Sequence, residues 1–148
     1  MDFALNYDDM VLLDAESLAE GGIREAYEEL LPKLRQYVKQ PGTIDESLDD
    51  ASPHYSVTYD TKEFVIYGPG LDEGEGQSWG RATNAFFAIV NAQLADSEYR
   101  FFAVNGGNDL GGMFLTPSQA EAARKGLPRK LDWPYLPNDE HPWHGQHR

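Results

Sequence analysis

The longest run of apolar positions at helical spacing lies in residues 78–94. The face predicted to be buried consists of Trp79, Ala82, Phe86, Phe87, Ile89, Val90, Gln93 and Leu94. Only Arg81, Asn84 and Asn91 form a narrow polar strip, and Ser78 is the expected N-cap. We expect Arg81 to have a structural role, as the partner of a carboxylate. A helix this apolar is normally covered on two sides, so we predict that it is central to the fold.

Two more helices are predicted from periodicity and capping signals. The first has apolar residues at helical intervals, namely Ile23, Tyr27, Leu30, Leu34 and Val38. Pro32 lies within this stripe and is expected to bend the helix without ending it. Asp14 is the expected N-cap of a short turn ahead of it. The last helix, 117–126, is predicted from a capping-box arrangement that begins at Thr116.

Four short apolar runs predict strands. Residues 54–59 and 63–68 flank a three-residue turn, and residues 99–104 and 113–115 flank a glycine-rich turn, so both pairs predict hairpins. Residues 2–14 predict either a further strand or a docked tail. The fold class is therefore α+β, with a mostly antiparallel sheet of four to five strands packed by helices in the order α-β-β-α-β-β-α.

The length of 148 residues predicts a single domain, 1–148. Two segments lack the pattern of a regular element. Residues 40–53 combine prolines and a glycine with several carboxylates and predict a mobile acidic linker. Residues 127–148 form a tail that is too rich in proline for regular structure.

The chain contains no cysteine. This excludes disulfides, thiolate metal sites and cysteine nucleophiles. The sequence also shows no basic leader and no apolar run of the roughly 18 residues that a membrane span requires. We therefore expect a cytoplasmic protein that makes no membrane contact.

The formal net charge is −13, and its distribution is one-sided. Residues 1–75 hold 18 of the 25 acidic residues and 5 of the 12 basic ones, so the whole excess lies in the first half. Such a field repels nucleic acids and anionic lipids, and it attracts basic proteins. The simpler interpretation, that the carboxylates only keep the domain soluble, stays open.

No sequence signature of catalysis is present. Neither a nucleophile elbow nor a zinc-hydrolase pattern occurs, so we predict no catalytic residue and no cofactor. The glycine-rich segment 105–112 lacks the lysine and the following helix of a phosphate-binding loop, and its Asn-Gly pair is typical of a hairpin turn. A function of this turn would reside in its polar tip, Asn105, Asn108 and Asp109.

Two groups of potential metal ligands are present, and we predict no metal site at either. The acidic loop 72–75 lacks the ligand spacing of a calcium-binding loop. His141, His144 and His147 recur every three residues, but the proline and glycine between them disfavour the helix that would align them.

Two segments resemble known proteins. They are LAEGGIREAYEELLPKL, residues 18–34, and YRFFAVNGGNDLGGMFLTPSQAEAARKGLP, residues 99–128, which together span about a third of the chain. Both resemble the small acidic bacterial immunity proteins that neutralise polymorphic toxins. Such proteins are diverse in fold and share no motif, so the resemblance implies a class of function and identifies no binding residue.

The acidity and this resemblance together predict a stoichiometric protein-binding module. It would cover the basic active site of a toxin domain by presenting carboxylates where phosphates would lie. The candidate partner-binding residues are Asp45, Glu46, Asp49, Asp50, Asp72, Glu73, Glu75, Asn108 and Asp109.

Two alternatives stay open. One is a small enzyme or ligand-binding domain with a polar cleft beside the central helix, formed by Arg81, Asn105 and Asp109. The other is a regulatory or structural partner of a larger assembly, in which the charge serves only for docking and a large exposed apolar surface is expected.

Overall fold

The computed structural model describes residues 4–49, 51, 53–69 and 75–137. It confirms the α+β class. In place of the single sheet of four to five strands that we predicted, these residues form two antiparallel sheets of three strands each. The structure contains two strands that the predicted element order lacked, one near the N-terminus and one in the predicted linker. They account for part of the difference between the predicted and the observed sheets.

The helices, in chain order, are α1 (Ala15–Ser17), α2 (Ile23–Leu34), α3 (Glu75–Gln93) and α4 (Pro117–Gly126). The Asp14 carboxylate caps α1 as predicted, and α2 continues past Pro32 for two residues. A wide turn with Gly21 at φ +91° joins α1 to α2. Because α3 begins at Glu75, Ser78 lies inside the helix and is not its N-cap. No helix in the described ranges is long and apolar enough to cross a membrane.

The strands are β1 (Val11–Leu12), β2 (Asp45–Asp49), β3 (His54–Tyr59), β4 (Lys62–Tyr67), β5 (Arg100–Val104) and β6 (Gly111–Leu115). Sheet 1 has the order β1-β6-β5, and sheet 2 has the order β2-β3-β4. Both predicted hairpins, β3–β4 and β5–β6, are present. The N-terminal segment contributes strand β1, which pairs with β6.

Helix α3 contacts β4 of sheet 2 and β5 of sheet 1, and it also packs on α1, α2 and the turn between them. Its predicted apolar face is buried from Trp79 to Leu94, except for Gln93, which is half-buried. Phe101 of β5 stacks on Phe87 of α3 with ring centroids 4.8 Å apart, and its ring also meets Phe114 of β6. The central position predicted for this helix is therefore confirmed.

The polar strip of α3 bonds to the edges of the two sheets. Arg81 Nε donates to the carbonyl oxygen of Ile66 at 2.6 Å. Tyr55 pairs with Tyr67 and the next residue of β3 pairs with Val65, so Ile66 is the extra residue of a β-bulge. The structural role predicted for Arg81 thus includes a bond to the backbone of β4.

Asn91 makes a matching contact near the C-terminal end of α3. Its Nδ2 donates to the Phe101 carbonyl oxygen at 3.0 Å, and its Oδ1 accepts from the Phe101 N–H at 2.6 Å. The side chain thus imitates a neighbouring strand at the edge of β5. Since α3 lies against β4 and β5 and bonds to both, these two strands do not extend one another into a single sheet.

The predicted linker, 40–53, contains strand β2 and is attached at its start to the core. Gln93 of α3 accepts from Gly42 N at 2.8 Å and donates to the Tyr27 hydroxyl at 3.0 Å. That hydroxyl donates to the Gly42 carbonyl oxygen at 2.6 Å. Composition alone misled the prediction here, because an edge strand with one solvated face does not need a fully apolar pattern.

The C-terminal region follows the prediction at its start and adds a contact beyond it. Thr116 and Gln119 form the predicted capping box of α4. Beyond α4, the tail returns to sheet 1, where Tyr135 forms a single antiparallel bridge with Ala103. Their two backbone hydrogen bonds measure 2.7 and 2.9 Å. The three tail histidines, residues 141, 144 and 147, lie outside the described residues.

Candidate functional site

Strand β2 carries three of the predicted partner-binding carboxylates along an edge of sheet 2. Asp45 and Asp49 are exposed, whereas Glu46 is half-buried. Asp45 lies opposite Thr58 of β3, and Glu46 lies opposite Val57, which is fully buried. Because directly paired residues share a face, Asp45 and Asp49 lie on the outer face of the sheet and Glu46 on its core face.

A further carboxylate, which the sequence analysis did not select, lies on the same outer face. Thr58 pairs with Asp45 on one side and with Glu63 of β4 on the other, so these three residues form a row across the sheet. No salt bridge among the described residues involves Asp45 or Glu63. Lys62 is the only lysine or arginine in the three strands, and the outer face is therefore anionic. We call Asp45, Asp49 and Glu63 the acidic face.

Glu46 has a different role, since its carboxylate binds the start of helix α2. Its Oε2 accepts from the Tyr55 hydroxyl at 2.7 Å and from Arg24 N at 3.2 Å. The same hydroxyl accepts from Ile23 N at 3.1 Å. Burial, and then the bond to Glu46, raise the pKa of Tyr55 well above its usual value, so the phenol stays protonated as a donor. Gly22 supplies no side-chain cap, and Glu46 therefore replaces one.

We expect the Glu46→Ala variant to lose about 1 to 2 kcal/mol of unfolding free energy, because Arg24 N and the Tyr55 hydroxyl lose their acceptor. Asp45→Ala, on the exposed face of the same strand, is the matched control and should change stability by less than about 0.5 kcal/mol. Urea denaturation of both variants measures the difference. Equal losses would show that Glu46 has no special role in stability.

The structure describes only some of the other predicted acidic residues. Asp50, Asp72 and Glu73 lie outside the described residues. Glu75 is the first residue of helix α3, which follows β4 in the chain. The structure therefore assigns an acidic face to β2 and β4, and the contribution of the 72–75 loop to it stays a prediction.

The polar tip of the β5–β6 turn lies against the start of helix α1. Asn108 Nδ2 donates to Asp14 Oδ1 at 3.0 Å and to Glu16 Oε1 at 3.1 Å. Asn105 has φ +63°, which agrees with the predicted turn conformation. The side chain of Asn108 thus holds the β5–β6 turn against helix α1. The described contacts of Asn108 do not include strand β2.

Two cavities bear on the ligand-binding alternative. A cavity of about 290 Å³ beside the β5–β6 turn is lined by Asn105 and Asp109, together with the 129–132 turn and Tyr135. Arg81, the third residue of the predicted cleft, does not line it. A larger cavity of about 400 Å³ lies between the N-terminal segment, the end of α2 and sheet 1, with Tyr37, Tyr99 and Phe114 in its wall. Neither cavity is the predicted cleft beside the central helix.

Comparison of the chain with protein-family models, with curated proteins and with solved structures found no match. Within the described part of the chain, no three histidine, aspartate or glutamate side chains are grouped as a metal site would require.

Sequence reasoning missed the contact between the Glu46 carboxylate and the start of α2. A signal was present, because the Gly-Gly pair at 21–22 precedes an apolar helical stripe and offers no capping side chain. The helix N-terminus must then find an acceptor elsewhere in the fold. The sequence does not indicate which carboxylate supplies it, since Glu46 lies 22 residues from Arg24.

Proposed function

We propose that this protein is a stoichiometric protein-binding module that acts as an immunity protein and covers the basic active site of a bacterial toxin domain. The observation that supports the proposal is the acidic face, where Asp45, Asp49 and Glu63 lie on one side of sheet 2 with a single lysine in its strands. The one-sided charge of the whole chain agrees with it.

The expected partner has an active site whose charge is opposite to that of the acidic face. An enzyme that cleaves nucleic acid places basic side chains where phosphates bind, and carboxylates held on a sheet present negative charge to the same groups. Exposed charges of this kind accelerate association and are screened by salt, with a Debye length of about 10 Å at 0.1 M. Capture of the partner should therefore be strongest at low ionic strength.

The test is affinity capture from the source bacterium with the wild-type chain and with the double variant Asp45→Lys, Asp49→Lys. We expect the wild type to retain a basic protein at about one-to-one stoichiometry and to inhibit its activity when purified. The double variant should bind that protein at least about tenfold more weakly, because two attractive contacts become repulsive. Isothermal titration at two salt concentrations gives the affinities.

The variant Glu98→Lys, Glu121→Lys provides the matched control. Both residues are exposed, they lie outside sheet 2, and the change in net charge is the same. An equal loss of affinity in this control would assign binding to the total charge and not to the acidic face. If the wild type retains no protein at any salt concentration, the inhibitor proposal fails, and a thermal-shift screen for small ligands addresses the remaining alternative.

A further inference from the structure

The four outer strand edges of the two sheets are not equally available for pairing. At the edge of β5, the Asn91 side chain forms hydrogen bonds with the N–H and C=O groups of Phe101. The backbone of Tyr135 does the same with the N–H and C=O groups of Ala103. Arg100 extends its guanidinium to the carbonyl oxygens of Leu94 and Ser97 at the end of α3. This edge is therefore closed to a further strand.

Two other edges are also unsuitable for a partner strand. Strand β4 packs against α3, and the carbonyl oxygen of its bulged residue Ile66 accepts a hydrogen bond from Arg81. Strand β1 has only two residues, Val11 and Leu12, and offers too short a template for stable pairing.

Strand β2 differs from the other three. It has five residues, four of them exposed, and it contains no proline. Its charged residues, Asp45, Glu46 and Asp49, disfavour a strand of like charge, so the edge is open to a strand of opposite charge. Among the described residues, no backbone group of Asp45–Leu48 bonds to another backbone group outside the β3 ladder. An edge strand presents alternate N–H and C=O groups outward, so this part of β2 offers donors and acceptors to a further strand.

We propose that β2 is a docking edge at which an extended basic segment of the partner protein adds a fourth strand to sheet 2. This inference rests on the proposed function and specifies how the partner binds. Backbone hydrogen bonds to β2 supply affinity, and alternate side chains supply specificity. Lysine or arginine residues of the segment meet Asp45 and Asp49 on the outer face, while the residues between them lie beside Leu48, whose side chain is 52% exposed.

Charge decides between a basic partner and a second copy of this chain. Antiparallel pairing of two β2 strands about Ser47 would place Asp45 of one copy opposite Asp49 of the other. Directly opposed like charges destabilise a strand pair, whereas opposite charges contribute roughly 0.2 to 1 kcal/mol for each pair. The edge therefore favours a basic strand over a second copy of this chain.

The test uses a synthetic nine-residue peptide of alternating lysine and valine, added to the full-length ¹⁵N-labelled protein. We expect chemical-shift changes and slowed amide exchange in residues 45–49. Two further peptides of the same sequence, each N-methylated at alternate residues along one edge, lose the donors of that edge and keep their charge. One of the two should bind at least about tenfold more weakly than the unmethylated peptide.

Leu48→Lys and Leu12→Lys form the matched pair of protein variants. Both leucines are exposed residues of edge strands, and both changes add the same charge. We expect Leu48→Lys to weaken peptide binding by about tenfold and Leu12→Lys to leave it within about twofold.

Three results would overturn the docking edge. They are equal binding of all three peptides, shifts located away from residues 45–49, and equal effects of the two leucine variants. The capture experiment separates this failure from failure of the proposed function. A partner lost by Asp45→Lys, Asp49→Lys but bound normally by Leu48→Lys would keep the acidic face and reject strand addition.

Discussion

Replacing Gly112 by alanine is expected to lower the free energy of unfolding by about 3 kcal/mol. A Cβ atom at this position would lie 2.2 Å from Phe101 Cζ and 2.7 Å from two further atoms of the same ring. Phe101 has no exposed surface, and its ring is held between Phe87 and Phe114. The ring therefore has no free space to enter, and either strand β6 or the aromatic core must shift.

The matched control for this substitution is Gly126→Ala. Gly126 ends helix α4, and a Cβ atom there would have no neighbour within 4 Å. Alanine is the better helix former, so we expect this variant to be more stable than the wild type by about 0.5 kcal/mol. Urea denaturation measures both values. A Gly112→Ala variant of wild-type stability would mean that the Phe101 ring is not packed against this strand.

The second large effect is expected for Asn91→Ala, which should lose about 2 to 4 kcal/mol of unfolding free energy. The amide of Asn91 satisfies both the N–H and the C=O group of Phe101, and alanine would leave these two buried groups without partners. The same change opens the β5 edge beside the Tyr135 bridge, so we also expect increased self-association. Urea denaturation and analytical ultracentrifugation measure the two consequences.

Asn84→Ala provides the control on the same polar strip of helix α3. Asn84 is half-buried and makes no hydrogen bond to a described residue, so we expect a change of less than about 0.5 kcal/mol. Similar losses for both asparagines would attribute the effect to the removal of a polar side chain from this strip, and the edge-capping role of Asn91 would be rejected.

Local interactions account for the elements that the sequence analysis predicted well. The apolar stripes of α2 and α3 recur with the helical period, and the Thr116 capping box involves residues three positions apart. The β3–β4 and β5–β6 hairpins are joined by short turns, at which Asp60, Thr61 and Asn105 adopt positive φ. The cause and the consequence of each feature lie within a few residues of one another, so a single sequence contains the necessary information.

The candidate site was predictable only in its chemistry. The excess of carboxylates in the first half indicated an acidic surface, and Asp45 and Asp49 do lie exposed on strand β2. The distinction between them and Glu46 was not predictable. All three belong to one acidic segment, and only the position of Tyr55 and Arg24 gives Glu46 a structural role.

The sequence by itself determined the α+β class, the central helix, both hairpins and the sign of the surface charge. Only the tertiary structure decided that the strands form two sheets, that β2 is an edge and that Glu46 caps helix α2. The physical reason is the range of the contacts. Arg81 meets Ile66 across 15 residues, Asn91 meets Phe101 across the turn after α3, and Tyr135 returns over 30 residues to β5 and the turn that follows it. Each contact joins a side chain or the C-terminal tail to the edge of a strand. The pattern of apolar and polar residues along the chain does not indicate which strand edge such a group will cover.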